Sequence, residues 1–202
     1  MNLGHDLDAM LPAGWRERRI VTVDPGLSAC GWADYRIGLL GACGYARGED
    51  HWRRGAVHDA CRVHAVAEAV AIATEEYPCE APWTLLVECP QVRRAGRQGH
   101  AAGADPQDLV HLALVAGAVV MAIRGLVGAG TQPTALFVRP EQWKGQVPKE
   151  IMCARIAARI ANEEKSTGAE RAALATGLPC ASLAHNTLDA VGIGLAALGR
   201  TG

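Results

Sequence analysis

Three carboxylates stand at positions from which a fold could bring them together. Asp24 ends the β-branched run Ile20-Val21-Thr22-Val23 and is followed by Pro25-Gly26. Glu88 ends a second buried-type run, Thr84-Leu85-Leu86-Val87, which Pro90 closes. Asp189 precedes Ala190-Val191-Gly192-Ile193-Gly194, a small and apolar stretch with the composition of a packed helix. Strand ends are where open sheets build sites. Acids converging from two strands and a helix suit a hard divalent cation, because Mg²⁺ prefers carboxylate and water oxygens. Two such ions about 4 Å apart can hold the attacking water and the departing oxygen of a phosphodiester. The chemistry offered is metal-assisted hydrolysis. The plainer alternatives are that Asp24 forms a turn before Pro-Gly, and that Glu88 is a strand-end charge reaching solvent.

Two neighbours of Asp189 share its helix face. Asn186 is three residues before it and His185 four, both spacings that align side chains. They fall in the first turn, where the helix dipole favours anions. Asn186 offers a neutral oxygen ligand, and His185 a metal ligand or a base for the water. Either could equally cap the helix.

Positive charge is local. Residues 91–100 follow Glu88 directly and carry Arg93, Arg94, Arg97 and His100 in a Gly-broken stretch without periodicity. Lys144 and Lys149, with Arg139 near them, form a second group. Such side chains neutralise phosphates, and Arg also stacks on bases. The competing expectations are a solvated surface loop for the first group and a core anchor for Trp143 beside the second.

The elements that must position these groups follow from periodicity and punctuation. Strands are predicted at 20–24, 30–37, 39–47, 84–88 and 134–138, the first three joined as an antiparallel meander. Helices are predicted at 57–76, 106–127, 148–162, 165–175 and 185–198, with a turn at 140–143. Residues 1–18 read as a flexible leader and 19–202 as one domain. Three antiparallel strands followed by alternating helices and strands give an α/β fold with a five-stranded mixed sheet flanked by helices.

Composition bounds the rest. A 202-residue chain that is 50% hydrophobic can build a real core. A net charge of −1 means that any nucleic-acid surface is a patch. Seven cysteines without a C-x-x-C pair point to a reduced, cytoplasmic protein. His58, Cys61 and His64 are spaced by three but lack a fourth ligand for zinc, so they read as ordinary helix positions. No signal peptide is evident, and the apolar run 112–123 is too short for a bilayer, so no membrane partner is expected.

The order of these segments resembles the RNase H-like fold, and within it the RuvC family of Holliday junction resolvases, particularly divergent phage forms. The likeness is carried by Val21-Thr22-Val23-Asp24-Pro25-Gly26 with Gly31-Trp32-Ala33, by Leu85-Leu86-Val87-Glu88, by the basic turn Trp143-Lys144-Gly145-Gln146-Val147-Pro148-Lys149, and by Asp189-Ala190-Val191-Gly192-Ile193-Gly194. It spans about residues 19–198. The resemblance implies an endonuclease that cuts four-way DNA junctions as a homodimer, with two Mg²⁺ or Mn²⁺ ions held by Asp24, Glu88 and Asp189. Family members carry an acid or His three residues before the final Asp. This chain has Asn186 there, with His185 beside it. That departure keeps a non-catalytic branched-DNA-binding module open, and an RNase H-like nuclease acting on RNA–DNA hybrids is a further alternative. Asp24-x-Gly26 also resembles the first phosphate loop of actin-like ATPases and sugar kinases, which need a second lobe that 202 residues do not accommodate.

Overall fold

The structure, a computed structural model, describes residues 11, 13–15, 18–26, 29–47, 56–75, 82–90, 106–145, 147–178 and 184–201, without the side chains of 56–59, 62, 73–75, 106 and 129. Five strands form one sheet: β1 (Ile20–Asp24), β2 (Cys30–Arg36), β3 (Leu39–Ala46), β4 (Thr84–Glu88) and β5 (Thr134–Val138). Their order is β3-β2-β1-β4-β5. The pairs β1–β2 and β2–β3 are antiparallel, while β1–β4 and β4–β5 are parallel. This is the five-stranded mixed sheet expected from the element order.

The helices are α1 (Ala56–Glu75), α2 (Pro106–Leu126), α3 (Pro140–Trp143), α4 (Lys149–Ala161), α5 (Gly168–Gly177) and α6 (Ala184–Ala197). The expected turn at 140–143 closes into a helical turn, started by Pro140 at its first position. Pro148 is the N-cap of α4 rather than its first residue. A 3₁₀ turn at Ala129–Thr131 was not foreseen.

Strand alternation divides the core between the two sheet faces. Val21 and Val23 of β1 and Leu85 and Val87 of β4 pack with Val66 and Val70 of α1 and Val115, Val119 and Ile123 of α2. Ile20 and Leu86 point the other way, to Met152, Ile156 and Ile160 of α4 and Val191, Ile193 and Leu195 of α6. Period two therefore sends Asp24 and Glu88 to the α6 face.

Small residues let α6 lie close on that face. A Cβ added at Gly31 would overlap the Asn186 backbone, and one at Gly194 the Tyr35 ring. Two hydroxyls fasten the contact. Thr22 Oγ1 donates to the Ala190 carbonyl at 2.7 Å, and Tyr35 Oη to the Val191 carbonyl at 2.6 Å. These bonds fix the helix one and two residues beyond Asp189.

Leu11 and Trp15, within the stretch read as a leader, are buried in the α6-side core, because two large apolar side chains gain by leaving water. Residues 1–10 lie outside the described residues. The apolar run at 112–123 continues into a helix whose segment Gln107–Leu126, with mean hydropathy 2.1, is long and apolar enough to cross a membrane. One stripe of it packs on the sheet, while Val110, Leu114 and Met121 stay exposed.

The β3 edge of the sheet is covered by α5. Glu170, fully buried, accepts from the Leu40 amide at 3.1 Å and from Arg200 Nη1 at 2.8 Å. Arg200 also donates to the Gly38 carbonyl at 2.7 Å, tying the chain end to the β2–β3 turn.

Candidate active site

Asp24 and Glu88 end adjacent parallel strands whose last registered pair is Val23 and Val87. The two acids therefore project side by side from the same sheet edge. Asp189 reaches them from the first turns of α6, and Ala190 behind it is held on the sheet by Thr22. All three sequence-predicted acids meet in one electrostatic field. Burial drives the Asp24 carboxyl well above its ordinary value, and the charges of Glu88 and Asp189 add to that. Burial also raises Glu88, with Lys144 opposing and Asp189 reinforcing the shift. A buried acid pushed up by two neighbouring acids is a group in want of a cation.

The two outer acids already have protein partners. The Trp143 indole N–H donates to Glu88 Oε2 at 2.7 Å, and Lys144 Nζ lies 3.9 Å from Glu88 Oε1. Lys144 also stacks over the Trp143 ring, 4.7 Å from its centroid. Lys149 Nζ pairs with Asp189 Oδ2 at 2.8 Å, and Cys153 Sγ donates to Asp189 Oδ1 at 3.8 Å. Burial alone would lower the Lys149 ammonium, but Asp189, Asp24 and Glu88 outweigh it and raise it.

Lys144 and Lys149 thus sit within the acid cluster. Lys144 is buried against Glu88 and Trp143, which is not the open, phosphate-facing placement expected of it. The desolvated ammonium is balanced by the carboxylate and the indole face. Lys149 is more open, with 42% of its side chain exposed, and can face both Asp189 and an approaching anion.

Asn186 and His185 part company. Asn186 is buried and donates its amide to the Ala29 carbonyl at 2.7 Å, which straps the segment after Asp24 to the start of α6. Its amide nitrogen is structural, whatever its oxygen does. His185 is exposed and lines a cavity of about 460 Å³ with Lys149, Glu150, Cys153, Ala184 and Leu188. The cavity adjoins Asp189 through Lys149 and Cys153. Arg93, Arg94, Arg97 and His100 lie outside the described residues, as does the His58 side chain.

The donor chemistry fits a hard divalent ion, with three carboxylates and no required sulfur or nitrogen ligand. Among the described residues, however, no three of His, Cys, Asp and Glu are gathered tightly enough to grip an ion as they stand. In this arrangement Asp189 is paired with Lys149, and Glu88 with Trp143 and Lys144.

Sequence reasoning missed two parts of the site. Trp143 appeared only as a core anchor, although its hydrogen bond gives it a carboxylate partner. Cys153 carried no signal beyond its place on α4, one helical turn after Lys149.

No protein-family model matches the chain, and no curated protein matches it. Among solved structures, Thermus thermophilus RuvC is similar at 17% identity over 91% of this chain and 96% of that one, with a TM-score of 0.49. T. thermophilus RuvC in complex with a Holliday junction substrate is similar at 14% identity over 89% and 91%, with a TM-score of 0.48.

Proposed function

We propose that this protein is a metal-dependent, structure-selective DNA endonuclease that cuts branched DNA, with the four-way junction as its preferred substrate. The observation that carries the proposal is the placement of Asp24 and Glu88 at the ends of adjacent strands, with Asp189 brought to them by α6 and Lys144 and Lys149 paired with Glu88 and Asp189. Mg²⁺ or Mn²⁺, when bound, would supply an activated water and neutralise charge on the leaving oxygen. Asp24 would be the central ligand, on a rigid strand end. Glu88 and Asp189 would flank it. The Asn186 oxygen or the His185 imidazole would complete the set from the first turn of α6. Lys149, whose side chain is 42% exposed, would meet the scissile phosphate on leaving Asp189.

Arg93, Arg94 and Arg97, in the segment that follows β4, are assigned to the DNA backbone beside the acids. A C2 homodimer would match the two symmetric cut points of a four-way junction. The exposed apolar side chains Val110, Leu114 and Met121 on α2 are in keeping with such an interface.

A substrate panel tests the reading. The protein is incubated with labelled four-way junction, linear duplex and RNA–DNA hybrid of matched sequence, each with Mg²⁺ or Mn²⁺. Preferential, paired nicking of the junction is expected. Cutting of the hybrid alone would assign an RNase H-type activity, and junction binding without cutting in either metal would assign a structural DNA-binding role.

A further inference from the structure

Trp143 does more than fill the core. The indole is fully buried, yet its single N–H is spent on Glu88 Oε2 at 2.7 Å. The opposite carboxylate oxygen faces Lys144, and the same lysine lies over the indole ring. One dipeptide therefore addresses both oxygens of one acid. A carboxylate at a strand end has two free side-chain torsions before its terminal group, so its oxygens wander unless they are held.

The ring itself is fixed by α6. Gly192 stands one helical turn beyond Asp189, and a Cβ there would come within 2.5 Å of both Trp143 Cζ3 and Ile156 Cδ1. The absence of a side chain at Gly192 is what admits the indole between α6 and β4. The ring is thus wedged between the helix that carries Asp189 and the strand that carries Glu88. The spacing of those two acids is set through it.

We propose that Trp143 is a positioning residue for metal binding, which orients Glu88 toward Asp24 through its indole N–H and gauges the Glu88–Asp189 separation through its contact with Gly192. This rests on the metal reading of the three acids. Residues that orient metal ligands contribute about 10- to 100-fold in metal affinity.

The test is Mn²⁺ binding to the full chain, measured by calorimetry or by electron paramagnetic resonance, alongside thermal unfolding. Trp143→Phe keeps an aromatic ring and removes the donor. Trp83→Phe is the control, because Trp83 is equally buried and spends its N–H on the Thr131 carbonyl at 2.6 Å, far from the acids. Both variants are expected to lower the melting temperature. Only Trp143→Phe is expected to weaken Mn²⁺ binding, by about tenfold. If Trp143→Phe does not fold, replacing Trp143 by benzothienylalanine exchanges the N–H for sulfur at nearly constant shape, and the same tenfold loss is expected. Unchanged Mn²⁺ affinity, or an equal loss in the Trp83 variant, overturns the proposal while leaving the metal site standing. A wild type that binds no Mn²⁺, or an Asp24→Asn variant that binds it as well as wild type, removes the metal reading and this proposal with it.

Discussion

Lys149 Nζ lies 2.8 Å from Asp189 Oδ2, so an ammonium from α4 holds one acid of the cluster. A metal at the proposed site would compete with it for that carboxylate. Lys149 is about two-fifths exposed, so the pair is worth on the order of 1 kcal/mol. Lys149→Met should therefore raise Mn²⁺ affinity about fivefold and lower the melting temperature of the metal-free protein. Junction cleavage should fall even so, because the same ammonium is assigned to the scissile phosphate. Metal affinity that stays the same or drops would show that Lys149 supports the ion rather than rivals it.

Asp24 carries the opposite burden. Its folded-state pKa is raised above the ordinary 3.8, first by burial and then by Glu88 and Asp189. The folded protein binds that proton more tightly than the unfolded chain does. The metal-free protein thus loses stability as pH rises from 3.8 through the elevated value. Asp24→Asn removes the buried charge and should stabilise the metal-free protein at neutral pH by about 1 kcal/mol, with a flatter stability–pH profile. Mn²⁺ binding and cleavage should vanish and junction binding should persist. Chemical denaturation at several pH values checks this, and a destabilised Asn variant would contradict it.

Glu170 and Arg200 should dominate the stability of the β3 edge. Burial works against the Glu170 carboxylate, but hydrogen bonds from Arg200, Thr167 and Leu40 prevail and hold its pKa below the ordinary 4.5. Its contribution is present above pH 4.5 and is lost as pH falls through the depressed value. Arg200→Met leaves a buried carboxylate without its cation and should cost about 3 kcal/mol. Equilibrium urea unfolding measures it. A cost below about 1 kcal/mol, the range of exposed pairs, would mean that the pair is not buried in solution.

The β2–β3 turn stores strain. Ile37 has φ +50° and is 80% exposed. A β-branched residue in the left-handed region is disfavoured by about 1–2 kcal/mol, and its exposed side chain recovers nothing by packing. Ile37→Asn, a residue suited to such turns, should raise stability by about 1 kcal/mol without affecting metal binding. No gain in the unfolding midpoint would place the turn in another conformation.

How much of this was legible in the sequence varies with the kind of constraint. Asp24, Glu88 and Asp189 could be read because strand ends and helix starts are marked locally by Pro, Gly and a change of periodicity. The alternation that sends Asp24 and Glu88 to one face is also local. The small residues after Asp189 foretold a close helix–sheet contact, and Gly194 makes it against the Tyr35 ring. What could not be read was which donor each acid meets. Lys144 is read from the sequence as a phosphate-facing cation, and its ammonium is buried between Glu88 and the Trp143 ring. Asn186 is a candidate ligand or cap, and its amide nitrogen also bonds the Ala29 carbonyl, 157 residues earlier in the chain. Thr167 and Glu170 form a capping box that the sequence reading did not single out. Nothing local announced that the same glutamate would also bind Leu40 and Arg200 across the fold.

The most direct measurement is cleavage of a labelled four-way junction by wild type, Asp24→Asn and Asp189→Asn, each in Mg²⁺ and in EDTA. Paired nicks made only by wild type, and only with metal, are the predicted result. Cleavage that survives EDTA, or that persists in either variant, would contradict a metal site built on these acids.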